Sequence, residues 1–359
     1  MKLLTTWWLR QGAPGALVGE STRRSFLQEA RPWVGAAIGI ALLVAVFRGI
    51  ELPGLQRAWA LADYRHLLAG GVFVLIGPVL RGLRWRLLFL PSRRPNTIKV
   101  TASVLAGQLV NLVVPLRAGE LVRVYYLSEL MGVSKVYTLS TIALERSLDG
   151  LVVVALALSL APLIAFPGWF RWSGLASAAG FSVLFIILVF IARHRQALTG
   201  IVRRLLRLAS ALESLGVWRR LRPAADALDA LAQPKLVLVV WALSVLIWLA
   251  GGLTNYLVLL SLGINLPFSA SLFVLLTLAV GASVPALPWQ VGVFESLAVL
   301  SLLPFGVDQT TGLAYGFLLH LVAYGPPTVL GVFCLRYLES ARRRVVSEQG
   351  QRVEAEEAS

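Results

Sequence analysis

The sequence predicts an all-α polytopic membrane protein, with about six full spans and two broken re-entrant hairpins in an inverted-topology repeat. Three observations lead there: a large apolar excess, basic residues gathered between the apolar runs, and two proline-broken apolar regions in matching places. Of 359 residues, 57% are hydrophobic and 14% charged, where a soluble domain carries about 25% charged residues. The formal net charge is +15, from 33 Lys and Arg against 18 Asp and Glu. In a soluble protein that balance would point to nucleic acid. Here the cations sit in short polar connections, the pattern that orients membrane helices, so no nucleic-acid partner is expected.

Taken in order, residues 1–33 form a basic leader with Lys2, Arg10, Arg23, Arg24 and Arg31. The first apolar run follows it without a small-residue cleavage pattern, so it reads as a signal anchor. Spans are expected near 34–50, 67–88, 137–165, 174–193, 236–261 and 311–336, most of them reaching the roughly 18 to 20 residues needed to cross a bilayer. Two further apolar regions, 99–131 and 270–303, are interrupted. The first breaks at Pro115-Leu-Arg117-Ala-Gly119-Glu120 and the second at Pro285-Ala-Leu-Pro288-Trp289-Gln290-Val-Gly292. Proline removes a helix donor and clashes with the preceding turn, so each region becomes two short arms. Unpaired backbone at such a break is tolerated only inside protein or beside a watery cavity.

Arginine placement fixes the orientation. The stretch 81–99 holds Arg81, Arg84, Arg86, Arg93, Arg94 and Lys99 without an acid, the 193–235 linker is rich in Arg, and Arg342 to Arg344 follow the last span. Placing these in the cytoplasm requires each broken region to return to the side it entered from. The membrane domain, 34–338, then contains repeat one (67–165) and repeat two (236–336) in opposite orientation, an architecture shared by many transporters. Both termini are expected to be cytoplasmic, in a bacterial-type inner membrane. Between the repeats, 194–233 reads as an amphipathic linker: Ile201, Leu205, Leu208, Leu212 and Leu215 recur at helical spacing among Arg203, Arg204 and Arg207. It suits an anionic lipid surface or serves only as a cationic anchor. Residues 339–359 are polar and expected to be a disordered tail.

Ionisable groups at membrane depth are costly and are therefore site candidates. Glu145, Arg146 and Asp149 lie inside an apolar span, with the two acids on one helix face. They either carry function or lock helices together as a buried ion network. The first break adds Gln108, Asn111, Arg117, Glu120 and Arg123, and free N–H groups at its second arm suit an anion; the alternative is interfacial snorkelling of the arginines. The second break adds Gln290 and Glu295, and His320 and Tyr324 share a face of the last span. Cys334 is alone, and His66, His194 and His320 have no second His at ligand spacing, so no metal site or other cofactor is expected. No phosphate-binding Gly-rich loop is present.

The stretch Gly107-Gln-Leu-Val-Asn111-Leu-Val-Val-Pro115-Leu-Arg117-Ala-Gly119-Glu120-Leu-Val-Arg123, followed by Glu145-Arg146-Ser-Leu-Asp149, resembles the flippase-like membrane domain of lysylphosphatidylglycerol synthases. Pro285-Ala-Leu-Pro288-Trp-Gln-Val-Gly292-Val-Phe-Glu295 is similar to that family's second signature, except that Trp289-Gln290 stands where the family usually has Gly-Gly. The resemblance, over about 35–338, implies movement of a lipid or lipid-linked headgroup between leaflets. A stand-alone member is expected, without the aminoacyl transferase domain that is joined to this membrane domain in multiple peptide resistance factors. The leading expectation is a non-enzymatic translocase for an anionic or phosphate-bearing amphiphile, either a membrane phospholipid or a polyprenyl-linked lipid. Arg117, Arg123 and Arg146 would hold its phosphate and Glu120, Glu145 and Asp149 would balance charge. Two alternatives remain open at this point: a non-transporting partner of an envelope-biosynthesis glycosyltransferase, and a polyprenyl pyrophosphate phosphatase.

Overall fold

A computed structural model describes residues 52–89, 94–114, 118–162, 233–281 and 290–357, with isolated helical residues at 179–180, 183 and 226–227. The leader, the expected span at 34–50, nearly all of that at 174–193 and of the 194–233 linker, and the prolines of both breaks lie outside the described residues.

All regular structure among the described residues is helical. A short helix α1 (Leu52–Ala60) precedes α2 (Tyr64–Leu88), α3 (Thr97–Val113), α4 (Gly119–Met131) and α5 (Lys135–Leu160). After the linker come α6 (Pro234–Ser261), α7 (Phe268–Gly281), α8 (Val293–Leu302) and α9 (Gln309–Glu357). Local chemistry sets the starts. The side chains of Asp63, Asn96 and Ser134 accept from the backbone N–H of Arg65, Ile98 and Val136, capping α2, α3 and α5. Pro234 occupies the first turn of α6, where its missing N–H costs nothing. Gly132 ends α4 with a left-handed φ of 62°, as helix stops commonly do.

Three of these helices are long and apolar enough to cross a membrane: Tyr64–Leu88, Pro234–Ser261 and the Gln309–Glu348 part of α9. At 1.5 Å per residue α2 reaches about 37 Å, against a hydrocarbon core of about 30 Å. Helix α5 is equally long but carries Glu145, Arg146 and Asp149 in its middle. By contrast α4, α7 and α8, of 13, 14 and 10 residues, extend only about 15 to 21 Å. The protein is an all-α, multi-pass membrane protein.

At both breaks the chain folds back on itself. Gly107 of α3 lies on Gly119 of α4, and further out Ala102 and Ala106 pack with Tyr126. Gly281 of α7 lies on Leu297 of α8, and further out Phe273 meets Phe305 beyond α8. Three contacts between the halves are also ordered. Helices α2 and α6 run antiparallel: Asp63 N–H donates to the Ser261 carbonyl, Gly70 faces Thr254, and Arg84 reaches Ser244. Helix α9 crosses α3 where Gly331 meets Leu105 and Leu109, and α5 crosses α7 where Ala157 and Leu160 pack with Leu272 and Leu276.

The tail expected to be disordered from 339 is helical as far as Glu357. Glu339 accepts from Arg342 at 2.8 Å and Arg343 at 3.2 Å, one turn on, and from the Tyr126 hydroxyl of α4 at 3.2 Å. Composition alone missed these spaced pairs, which support a helix without an apolar face.

The Gly107–Gly119 crossing is close enough to test. A Cβ on Gly119 would sit 2.7 Å from Asn111 Oδ1 and nearer still to the Gly107 carbonyl, whereas one on Gly71 would meet nothing within 4 Å. Gly119→Ala is expected to destabilise the protein by about 1–3 kcal/mol through backbone displacement, and Gly71→Ala to be neutral or stabilising. Thermal unfolding of the purified full chain in detergent checks both; equal midpoints would show that the arms are not in backbone contact.

Candidate functional site

The first candidate region grows from α2, α4 and α5, which bring six charges together. Arg84 donates through Nη1 to Asp149 at 2.5 Å and through Nη2 to Glu145 at 3.2 Å, with Ser244 of α6 also accepting at 2.9 Å. Arg123 spans Glu145 at 2.5 Å and Glu120 at 3.0 Å. Arg146 reaches Glu120 at 3.2 Å, Glu145 at 3.4 Å and Asp149 at 3.6 Å. Three guanidiniums thus face three carboxylates, and the formal charge of the group is zero. The Trp85 ring lies 4.1 Å from Arg123 Cζ and is itself fixed by donating to the Thr141 hydroxyl at 2.9 Å, a cation–π contact inside a desolvated site.

Of the expected residues, Glu120, Arg123, Glu145, Arg146 and Asp149 therefore meet in one network. Arg117 lies outside the described residues. Arg123 and Arg146 already have their charge balanced by carboxylates, so neither is an open anion receptor in this state. Arg84 is the member that sequence reasoning passed over. It was grouped with the cytoplasmic cations of 81–99, yet both Arg84 and Trp85 are fully buried. The available signal was its place within the apolar run 67–88, where an arginine needs a partner.

The second region is a cavity of about 380 Å³ between α2, α3, α6, α7, α9 and the turn before α8. Its wall is mainly apolar, including Phe73, Val74, Pro78, Trp248, Leu275 and Phe294, with Arg81, Gln108, Asn111, Asn255, Gln290 and Tyr324 as polar groups. That size and composition match small-molecule sites, about 300–1,000 Å³ and mostly apolar. Asn111 has a second task. Its Oδ1 accepts from Gly119 N–H at 2.7 Å, supplying the cap that Ala118 cannot provide. Pro78 and Pro327 line the same space, and each denies a helical N–H donor to the carbonyl four residues earlier, at Val74 and Ala323. Both of those residues also line the cavity.

Gln290 takes a left-handed φ of 54°, the one positive φ at a residue other than glycine among those described. Its Oε1 lies 3.5 Å from the Tyr324 hydroxyl. A side chain at such a backbone costs about 1–2 kcal/mol, and strain of this kind gathers at functional sites. Beside it, Glu295 accepts from Gly292 N–H at 2.7 Å and pairs with His320 Nδ1 at 2.7 Å. Phe294 and Tyr324 pack on the His320 ring at 4.8 and 4.9 Å. Glu295 and His320 thus form a separate pair, and Gln108, Asn111 and Gln290 belong to the cavity.

These geometries make two predictions. Glu145 touches all three guanidiniums of a buried group, so Glu145→Ala should cost about 3–5 kcal/mol; Arg146, whose side chain is 40% exposed, should cost clearly less on replacement by Ala, since each of its carboxylates keeps another arginine. Chemical or thermal unfolding of the two variants ranks them, and a reversed order would contradict the network. Gln290→Gly should raise stability by about 1 kcal/mol by releasing the left-handed strain, read by the same unfolding; a loss of stability would mean that the amide contact outweighs the strain.

A search of functionally curated proteins finds no match to the chain. The family described as the lysylphosphatidylglycerol synthase TM region matches residues 33–331. That range contains both proline breaks, the charge network, the cavity and the Glu295–His320 pair, and the chain belongs to this family.

Proposed function

We propose that the protein is a lipid translocase that moves an anionic or phosphate-bearing lipid, or a lipid-linked headgroup, between leaflets, and that it is a transporter rather than an enzyme. The observation that carries the reading is the cavity. It lies between the two halves, is lined by both, and places amide groups in an apolar wall next to two broken helices, where transporter sites form.

The inverted repeat is the second element of the proposal, with 67–165 and 236–336 as its units and the hairpins α3–α4 and α7–α8 as re-entrant arms. Equivalent contacts support it. Gly82 of α2 abuts Thr101 of α3, and Gly252 of α6 abuts Leu272 of α7. The last helix of each half packs on the first arm of the other, α9 on α3 and α5 on α7. The antiparallel α2–α6 seam supplies the opposed directions that such a repeat needs. In each half, the first-turn glutamate of the second arm is tied to the half's last helix, Glu120 to Arg146 and Glu295 to His320. With the basic connections cytoplasmic, both termini face the cytoplasm of a bacterial-type inner membrane.

In this mechanism the neutral network keeps α2, α4 and α5 together as one body, because opening it would strand buried charge. The halves rock against each other across the cavity, whose amides bind a headgroup while its tails remain in lipid. Proteoliposomes with leaflet-accessible fluorescent phosphatidylglycerol, phosphatidylcholine and polyprenyl phosphate test the reading. Headgroup-selective movement is expected from the wild type and should fall at least about tenfold in a Gln108→Leu, Gln290→Leu variant, one lost polar contact being worth about that factor. If no lipid moves faster than in protein-free vesicles, the translocase reading is wrong.

A further inference from the structure

We propose that Arg81 is the anion anchor of the cavity, binding the phosphate of a headgroup whose remaining charge is zero, so that anionic lipids are selected over zwitterionic and cationic ones. The proposal rests on the transport reading above for its setting and names the residue and charge class of that site.

The argument begins with charge balance. Arg84, Arg123 and Arg146 each contact at least two carboxylates. Arg81 stands one helical turn from Arg84, lines the cavity, and makes no hydrogen bond or ion pair with any described residue. The cavity wall therefore carries a net positive charge beside a group that is already neutral. Asp149 and Glu145 act on Arg81 only through space, without a hydrogen bond; a cation at membrane depth without a direct partner is costly, and a mobile anion in the cavity would supply one.

The nearby amides fit the same ligand. Asn111 uses its oxygen on Gly119 N–H and Gln290 turns its oxygen to Tyr324, leaving both NH₂ groups as donors. Gln108 has no hydrogen bond to a described residue and adds a third amide. A guanidinium with several neutral donors suits phosphate oxygens, which Arg can engage through two parallel N–H groups. The volume, at the low end of small-molecule sites, accommodates a headgroup rather than a whole lipid. An additional ammonium on the ligand would sit beside Arg81 without a carboxylate partner in the cavity wall.

Thermal-shift titration of the purified full chain in detergent tests this with dioctanoyl phosphatidylglycerol, phosphatidylcholine, lysyl-phosphatidylglycerol and inorganic phosphate. Wild type should bind phosphatidylglycerol at least about tenfold more tightly than the other lipids, the scale of one charge-assisted hydrogen bond in a desolvated site. Arg81→Gln should erase that preference, and Arg81→Lys should restore part of it. Without lipid, Arg81→Gln should melt no lower than wild type, since the buried cation has no hydrogen-bonded partner among the described residues to lose; a structural arginine would behave in the opposite way. Unchanged preference in Arg81→Gln overturns the proposal. Equal affinity for inorganic phosphate and phosphatidylglycerol overturns the lipid as the source of the anion. Lost preference with no lipid movement by wild type in vesicles would sink the translocase reading while Arg81 keeps its role. Retained, equally selective movement in Arg81→Gln would sink the anchor and leave the translocase standing.

Discussion

The need to neutralise charge inside an apolar slab organises this protein. A guanidinium or carboxylate taken from water loses several kcal/mol of solvation, which returns only if opposite charges and hydrogen bonds surround it. Glu145 satisfies that demand three times over, facing Arg84, Arg123 and Arg146. Its partners come from three helices, so the electrostatic requirement also fixes how α2, α4 and α5 are placed. Trp85 closes the group against water by stacking on Arg123. The network is thus a structural lock one helical turn from Arg81, a cation that lines the cavity without a direct carboxylate partner among the described residues.

A second constraint is steric. Short arms bury little apolar area each, so they must approach their neighbours closely. Gly107 against Gly119 in the first hairpin, Gly82 at α2–α3 and Gly252 at α6–α7 allow it. Small residues at such crossings are how membrane helices gain packing energy when lipid already solvates their apolar surface. The breaks then serve the site as well as the path. Asn111 caps the arm that begins at Gly119 while lining the cavity, and Gln290 holds a strained backbone where its amide reaches Tyr324.

Much of this was legible in the sequence because hydropathy and proline act locally. The expected spans at 67–88, 236–261 and 311–336 fall within helices Tyr64–Leu88, Pro234–Ser261 and Gln309–Glu357 because apolar runs set them, and the sequence placed a break between the arms of each interrupted region. The Glu145-Arg146-Asp149 cluster was visible as charge within an apolar run. Its partners were not, since Arg84 lies 61 and 65 residues from Glu145 and Asp149, and no local pattern links them. Arg81 and Arg84 look alike in sequence, two cations at the end of a span, yet one is consumed by carboxylates and the other faces a cavity. Only the packing of α5 and α6 against α2 separates them. The helical tail was missed for a related reason: composition predicts disorder there, while Glu339, Arg342, Arg343 and the distant Tyr126 hold it in helix.

The two halves tie the second arm to the last helix at nearly the same spacing and fill the tie differently. Glu295 is bonded to His320, 25 residues on, and Glu120 pairs with Arg146, 26 residues on. In the first half that position belongs to a six-charge network; in the second it is one histidine among aromatic rings. Separating Glu120 from its partners leaves permanent charges, because arginine does not give up its proton. Separating Glu295 from His320 breaks a single pair rather than a six-charge network, so less buried charge loses its partner. The energetic cost of rearrangement is therefore lower in the second half. Gln290 and Tyr324 bring that difference to the cavity wall, which Arg81 lines from the first half.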